Sequence, residues 1–185
     1  MDAIAPADDK TRREWLKKDA YCYAELIQFG NREFGMDLPP LPLPPMLMLH
    51  RVVHISETGG KFGKGFAIGE YDVRPNDWYF PCHFKGRPIM PGVLGIDAVF
   101  QLGGFFLAWS GARGDGMATG MGGLKFRGMV TPDAKLLQFV IDAKHLKLSP
   151  VLNMVKFDGR VIREGETIYE MEDLTVGVAP QKQAA

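Results

Sequence analysis

From Gly92 to Trp109 the chain is apolar on every side. Val93, Leu94, Ile96, Val99, Phe100, Leu102, Phe105, Phe106 and Leu107 leave no polar stripe. A helix without a hydrophilic face has to be wrapped by other structure. Pro91 suits its first turn, where a missing N–H costs nothing. After the glycines of 111–116 the period shortens to two. The segments 117–130, 134–146, 151–163 and 167–178 alternate as strands do. In the second, Leu137, Phe139, Ile141 and Ala143 share one face, with Gln138, Asp142 and Lys144 on the other. Glu164-Gly165-Glu166 reads as a hairpin turn. Asp158-Gly159, whose flanks keep alternating, reads as a bulge inside one strand. One buried helix followed by long antiparallel strands predicts an α+β fold, a curved sheet wrapped around the helix.

Upstream, Trp15, Leu16, Ala20, Tyr23, Leu26 and Ile27 recur at helical spacing and predict a helix over 7–29, broken by Gly30 and Gly35. The stretch 38–45 holds five prolines in eight positions, which makes a stiff extended connector. Segments 46–55 and 65–73 read as strands. A loop from Arg74 to Met90 follows, punctuated by Pro75, Pro81 and Pro88 and carrying His83. The expected organisation is a helical region with a Pro-rich lead-in over 1–45 and a sheet-and-helix domain over 46–185.

At 185 residues and 46% hydrophobic, the chain is long and apolar enough for one domain with its own core. Lys+Arg and Asp+Glu number 22 each, so no net field points to nucleic acid. Cys22 and Cys82 form no CxxC, and no His/Cys spacing suits zinc; two reduced thiols in a cytosolic protein is the expectation. The charged segment 1–18 lacks the apolar core of a signal peptide. No uninterrupted apolar run approaches a membrane span, so a cytoplasmic protein with no membrane contact is expected.

Two residues in this frame carry chemistry. His83 sits in the Pro/Gly-rich loop beside Trp78, Phe80 and Phe84, which supply an apolar wall. Asp97, fourteen positions on, is a lone carboxylate inside the apolar helix. An acid in such company favours its neutral form, as a general acid requires. Gln101, one turn further, is placed to hydrogen-bond it. Gly92 and Gly95 open the helix, where unpaired N–H groups and the dipole favour a developing oxyanion. Each residue also has a plain structural reading: a loop histidine, a buried structural acid, a glycine in a crowded helix start. A Cys82 nucleophile is disfavoured, because adjacent residues in an extended segment point to opposite faces.

The run Gly86-Arg87-Pro88-Ile89-Met90-Pro91-Gly92-Val93-Leu94-Gly95-Ile96-Asp97, preceded by His83-Phe84, resembles the bifunctional 3-hydroxydecanoyl-acyl-carrier-protein dehydratase/isomerase family. The resemblance continues through the Pro-rich 41–48, Gln101–Trp109, Leu124-Lys125-Phe126 and Asp173–Gly177. It spans residues 20 to 178 in collinear order. It implies a hot-dog fold and a homodimer in which His83 of one chain meets Asp97 of the other. It further implies that His83 removes the C2 proton of a 3-hydroxyacyl thioester. Asp97 protonates the departing hydroxyl, and the Gly92 N–H holds the thioester carbonyl. Phe84, Phe100 and Phe105 are the candidate linings of an acyl tunnel, acyl carrier protein is the implied partner, and no metal or organic cofactor is implied. Aspartate rather than glutamate at 97 favours the bifunctional branch over the dehydratase-only one. The chain departs from the family pattern at His50, Arg87, Val93 and Gly123. It also keeps only Lys144 and Lys147 of a usual basic cluster, which marks it as a divergent member. A thioesterase on the same fold and a non-catalytic acyl-binding paralogue are the alternatives.

Overall fold

The computed structural model describes residues 8–35 and 37–179. Residues 1–7, which include the start of the expected first helix, and the tail from Pro180 lie outside the described residues. Helix α3 occupies Gly92–Trp109, the bounds of the apolar run. Ala98, Leu102, Phe106, Leu107 and Ala108 have no exposed surface. By length and composition alone α3 could cross a bilayer, yet 61% of it is buried inside the fold.

Among the described residues, seven antiparallel strands cover it. They are β1 (Arg51–Ser56), β2 (Phe66–Asp72), β3 (Asp115–Gly120), β4 (Gly123–Phe126), β5 (Leu136–Lys147), β6 (Asn153–Arg163) and β7 (Glu166–Ala179). Their order is β1-β2-β5-β6-β7-β3, with β4 also paired to β7. Helix α3 packs against β2, β3, β5, β6 and β7. This is the hot-dog arrangement, one long helix held in a curved sheet. Leu137, Phe139, Ile141 and Ala143 are fully buried on the face expected to meet the helix.

The turn and the bulge fall where the sequence puts them. Glu164 and Gly165 take positive φ values of 50° and 89°, and the hairpin pairs Arg163 with Glu166. The register of β6 on β7 slips between Phe157 and Gly159. Asp142, expected on the polar outer face, is nevertheless 4% exposed. The loop before β2 folds over it, so that Lys61 N donates to Oδ1 at 2.8 Å and Arg160 reaches Oδ2 at 3.0 Å. The carboxylate is buried and satisfied, as a buried charge must be.

Two expectations are corrected. The strand read over 117–130 is two short strands, β3 and β4, interrupted at Met121-Gly122. Glycine at 120, 122 and 123 weakens a strand interior and lets the chain bend there. The helix read over 7–29 is likewise two, α1 (Asp9–Trp15) and α2 (Tyr23–Gly30). Between them Tyr21 pairs with Val52 through backbone bonds of 2.8 and 2.9 Å. Glu25 then accepts from Cys22 N at 2.9 Å and restarts the helix. Apolar spacing survives the break because Trp15, Tyr21 and Phe29 all pack on Phe105 of α3.

Candidate active site

The loop before α3 is a set of short hydrogen-bonded turns. His83 N donates to Tyr79 O at 2.9 Å, and Phe84 and Arg87 exchange backbone bonds of 3.1 and 3.0 Å around Lys85-Gly86. Ile89 N donates to His83 O at 2.8 Å, and Met90 N to Val130 O at 2.9 Å, which moors the loop to the core. The His83–Phe84 peptide is cis. This frame places His83 Nδ1 3.1 Å from the carbonyl oxygen of Ile89. A carbonyl only accepts, so Nδ1 carries the proton in that bond and Nε2 of the neutral ring keeps its lone pair. The imidazole stacks on Phe84 at 4.1 Å. Phe84 itself is exposed, as is Trp78, while Phe80 is buried. The Cys82 thiol lies within reach of the carbonyls of Trp78 and Tyr79.

Asp97 lies one turn into α3 and is half-buried rather than buried. Its Oδ2 accepts from Gln101 Nε2 at 2.6 Å. Gln101 is 8% exposed and fully used: Nε2 also donates to Met46 O at 2.8 Å, and Oε1 accepts from Met48 N at 2.9 Å. The acid is therefore fixed to the segment that follows the prolines as well as to its own helix. Asp97, Phe100 and Gln101 line a cavity of about 170 Å³ together with Pro39–Pro42, Gly104, β3 residues 116–118 and Val176. Apart from Asp97 and Gln101, its walls are apolar or glycine.

Gly92 opens α3, where the first N–H groups have no partner inside the helix. A Cβ there would sit 2.8 Å from Cε1 of Phe126, so a side chain at this position would displace the phenyl ring. Phe126 is half-exposed beside the helix start and packs edge-on to Tyr169 at 4.7 Å.

The structure thus brings Asp97, Gln101 and Phe100 together, and stacks His83 on Phe84 in the loop before α3. No hydrogen bond or ion pair joins His83 to Asp97 among the described residues, and no cavity described is lined by both. Phe105 lies elsewhere: it is 1% exposed, enclosed by Trp15, Tyr21 and Phe29. It therefore does not share the Asp97 cavity with Phe100, and aromatic side chains of the N-terminal region pack around it. Sequence reasoning missed the backbone partners Ile89, Met46 and Met48, which no side-chain motif announces. It also missed the prolines as a wall of the Asp97 cavity, although their density was a signal that the segment is rigid.

The chain matches the family model for the FabA-like domain over residues 41–172. Among solved structures it is similar to a dehydratase heterocomplex, ApeI:P, from Xenorhabdus doucetiae. The two share 17% identity with a TM-score of 0.56, over 76% of this chain and 87% of that one. It is also similar to a hypothetical thioesterase with coenzyme A from Streptococcus pneumoniae. Here the identity is 13% and the TM-score 0.46, over 70% of this chain and 88% of the other. The likeness to ApeI:P is one of fold.

Proposed function

The chain belongs to the FabA-like domain family, and from that premise we propose that it dehydrates 3-hydroxyacyl thioesters to trans-2-enoyl thioesters. One observation carries the reading: His83 and Asp97 are each fixed by a hydrogen bond that, among the described residues, leaves a second reactive atom without a hydrogen-bond partner. For His83 the fixed atom is Nδ1 and the free one Nε2. For Asp97 they are Oδ2 and Oδ1.

In the proposed reaction Nε2 takes the C2 proton of the substrate, and the C–H electron pair moves into an enolate. The Gly92 N–H donates to the enolate oxygen, where the helix start favours negative charge. As the enolate collapses to the C2–C3 double bond, the C3–O bond breaks. The hydroxyl leaves with a proton from Asp97, as water. His83 then returns its proton to the emptied carboxylate through solvent. Isomerisation is proposed on the same pair, with a C4 proton removed and one returned to C2 to give the cis-3 product.

Because no hydrogen bond or ion pair joins His83 to Asp97 among the described residues, the proposed unit is a homodimer that pairs them across its interface. Strand β3 supports this: it is an edge strand of the sheet, and all six of its residues are exposed. Such an edge is a ready template for another strand. An acyl carrier protein delivering the thioester in the cytoplasm is the proposed partner.

The test is incubation with 3-hydroxydecanoyl thioester, with products resolved by mass and double-bond position. Loss of water with the thioester intact supports the dehydratase. Release of free thiol and 3-hydroxydecanoate would make it a thioesterase, and unchanged substrate would leave an acyl-binding protein.

A further inference from the structure

Helix α3 carries glycine at both 103 and 104, and packing explains only the first. A Cβ on Gly103 would lie 2.4 Å from Cζ of Phe157, so β6 can approach the helix only if that residue is glycine. A Cβ on Gly104 would meet nothing within 4 Å. Glycine inside a helix is disfavoured relative to alanine, so an unfilled glycine next to open space calls for a reason outside the chain's own packing.

That open space is the cavity at Asp97. Asp97, Gln101 and Gly104 fall on one helix face at i, i+4 and i+7, and all three line it. Seven residues of rise put Gly104 about 10 Å beyond Asp97 along the helix. Between them stands Phe100, and Pro39–Pro42 form the facing wall. Prolines hold that wall in place because their φ is fixed. The result is an apolar slot that begins at a carboxylate and runs along α3 to a missing side chain.

We propose that Gly104 sets the length of acyl chain the protein accepts. The inference rests on the reading above, in which Asp97 acts at C3 of an acyl thioester. With C3 at Asp97, the carbons beyond C4 pass Phe100 and end in the space that Gly104 leaves open. A side chain at 104 closes the slot to medium-length tails while leaving the acid and short tails untouched.

The test compares wild-type protein with Gly104→Leu and Gly104→Ala, using 3-hydroxybutanoyl and 3-hydroxydecanoyl pantetheine thioesters. The leucine variant is expected to lose about 10- to 100-fold in kcat/KM on the ten-carbon substrate and nothing on the four-carbon one. The alanine variant should show a smaller loss of the same selectivity, and it serves alone if the leucine variant does not fold. Equal losses on both substrates, or no loss on either, would overturn the proposal. A change of oligomeric state in size-exclusion chromatography would also overturn it, by assigning Gly104 to an interface. Calorimetric binding of unreactive S-butyl and S-decyl pantetheine thioethers separates the two readings. If the wild type turns over neither thioester, the dehydratase reading fails, and the thioethers still decide about Gly104. Selective loss of the decyl compound in the variants supports the ruler. Length-independent binding, or no binding to any of the proteins, refutes it.

Discussion

Gln101 Nε2 donates to Asp97 Oδ2 at 2.6 Å while the same amide holds Met46 O and Met48 N. One buried side chain therefore ties the candidate acid to a segment more than 50 residues earlier. Replacing Gln101 with leucine leaves the Asp97 carboxyl without this partner, a loss worth about 1–3 kcal/mol. The expected result is a fall in kcat of about 10- to 100-fold with KM little changed. Thermal stability should drop as well, because the buried Met48 N–H and the part-buried Met46 carbonyl lose their partner. Steady-state kinetics and a melting curve read both, and an unaltered kcat would show that Asp97 needs no tether.

His83 and Asp97 are expected to be needed separately. His83→Asn and Asp97→Asn should each lower kcat by about 100- to 10,000-fold with circular dichroism and oligomeric state unchanged. Full turnover in either variant would remove that residue from the mechanism.

The two neighbouring glycines of α3 should respond in opposite ways. Gly103→Ala forces a Cβ against Phe157, and such overpacking costs about 1–3 kcal/mol. Gly104→Ala enters open space and should stabilise by about 0.5–1 kcal/mol through helix propensity. Denaturant unfolding of both variants measures the contrast. Equal effects would mean that the helix does not lie against β6 as described.

The fold was legible where the apolar pattern was strong. The all-round hydrophobicity of α3 gave its bounds, and alternation gave β5, β6 and β7. What escaped was set by contacts between distant segments. The bridge from Tyr21 to Val52 splits the N-terminal helix, and neither residue advertises the other. The break between β3 and β4 follows from glycines that a period-two reading passes over. At the candidate site, His83, Asp97, Gln101 and Gly92 stood out by residue type and spacing. The carbonyl of Ile89 did not, because a backbone atom has no sequence signature. The aromatic neighbours of Phe105 were hidden for a related reason: an aromatic on an apolar helix looks the same in sequence whatever it packs against.

His50 gives a pH dependence of stability. Burial is the leading cause that holds its imidazole below the ordinary value, opposed by Asp72 and Asp77 and reinforced by Arg74 and Arg51. Its Nδ1 accepts from Asp72 N at 2.9 Å, and the ring stacks on Tyr71 at 4.4 Å. The folded state binds the proton less readily than the unfolded chain does. The stability is therefore fully present above about pH 6.5 and is lost as pH falls through the lower folded value. His50→Asn, whose amide oxygen can accept the same hydrogen bond, should lose less stability between about pH 7 and pH 5. Melting curves of both proteins across that range check the sign.

The central claim is that His83 and Asp97 form one catalytic pair contributed by two chains. Mixing the inactive His83→Asn and Asp97→Asn proteins under conditions of subunit exchange tests it. A mixed dimer holds one site with both residues intact, so a 1:1 mixture should recover about a quarter of wild-type dehydration. No recovery, with mixed dimers demonstrated by native mass spectrometry, would contradict a shared site and with it the proposed mechanism.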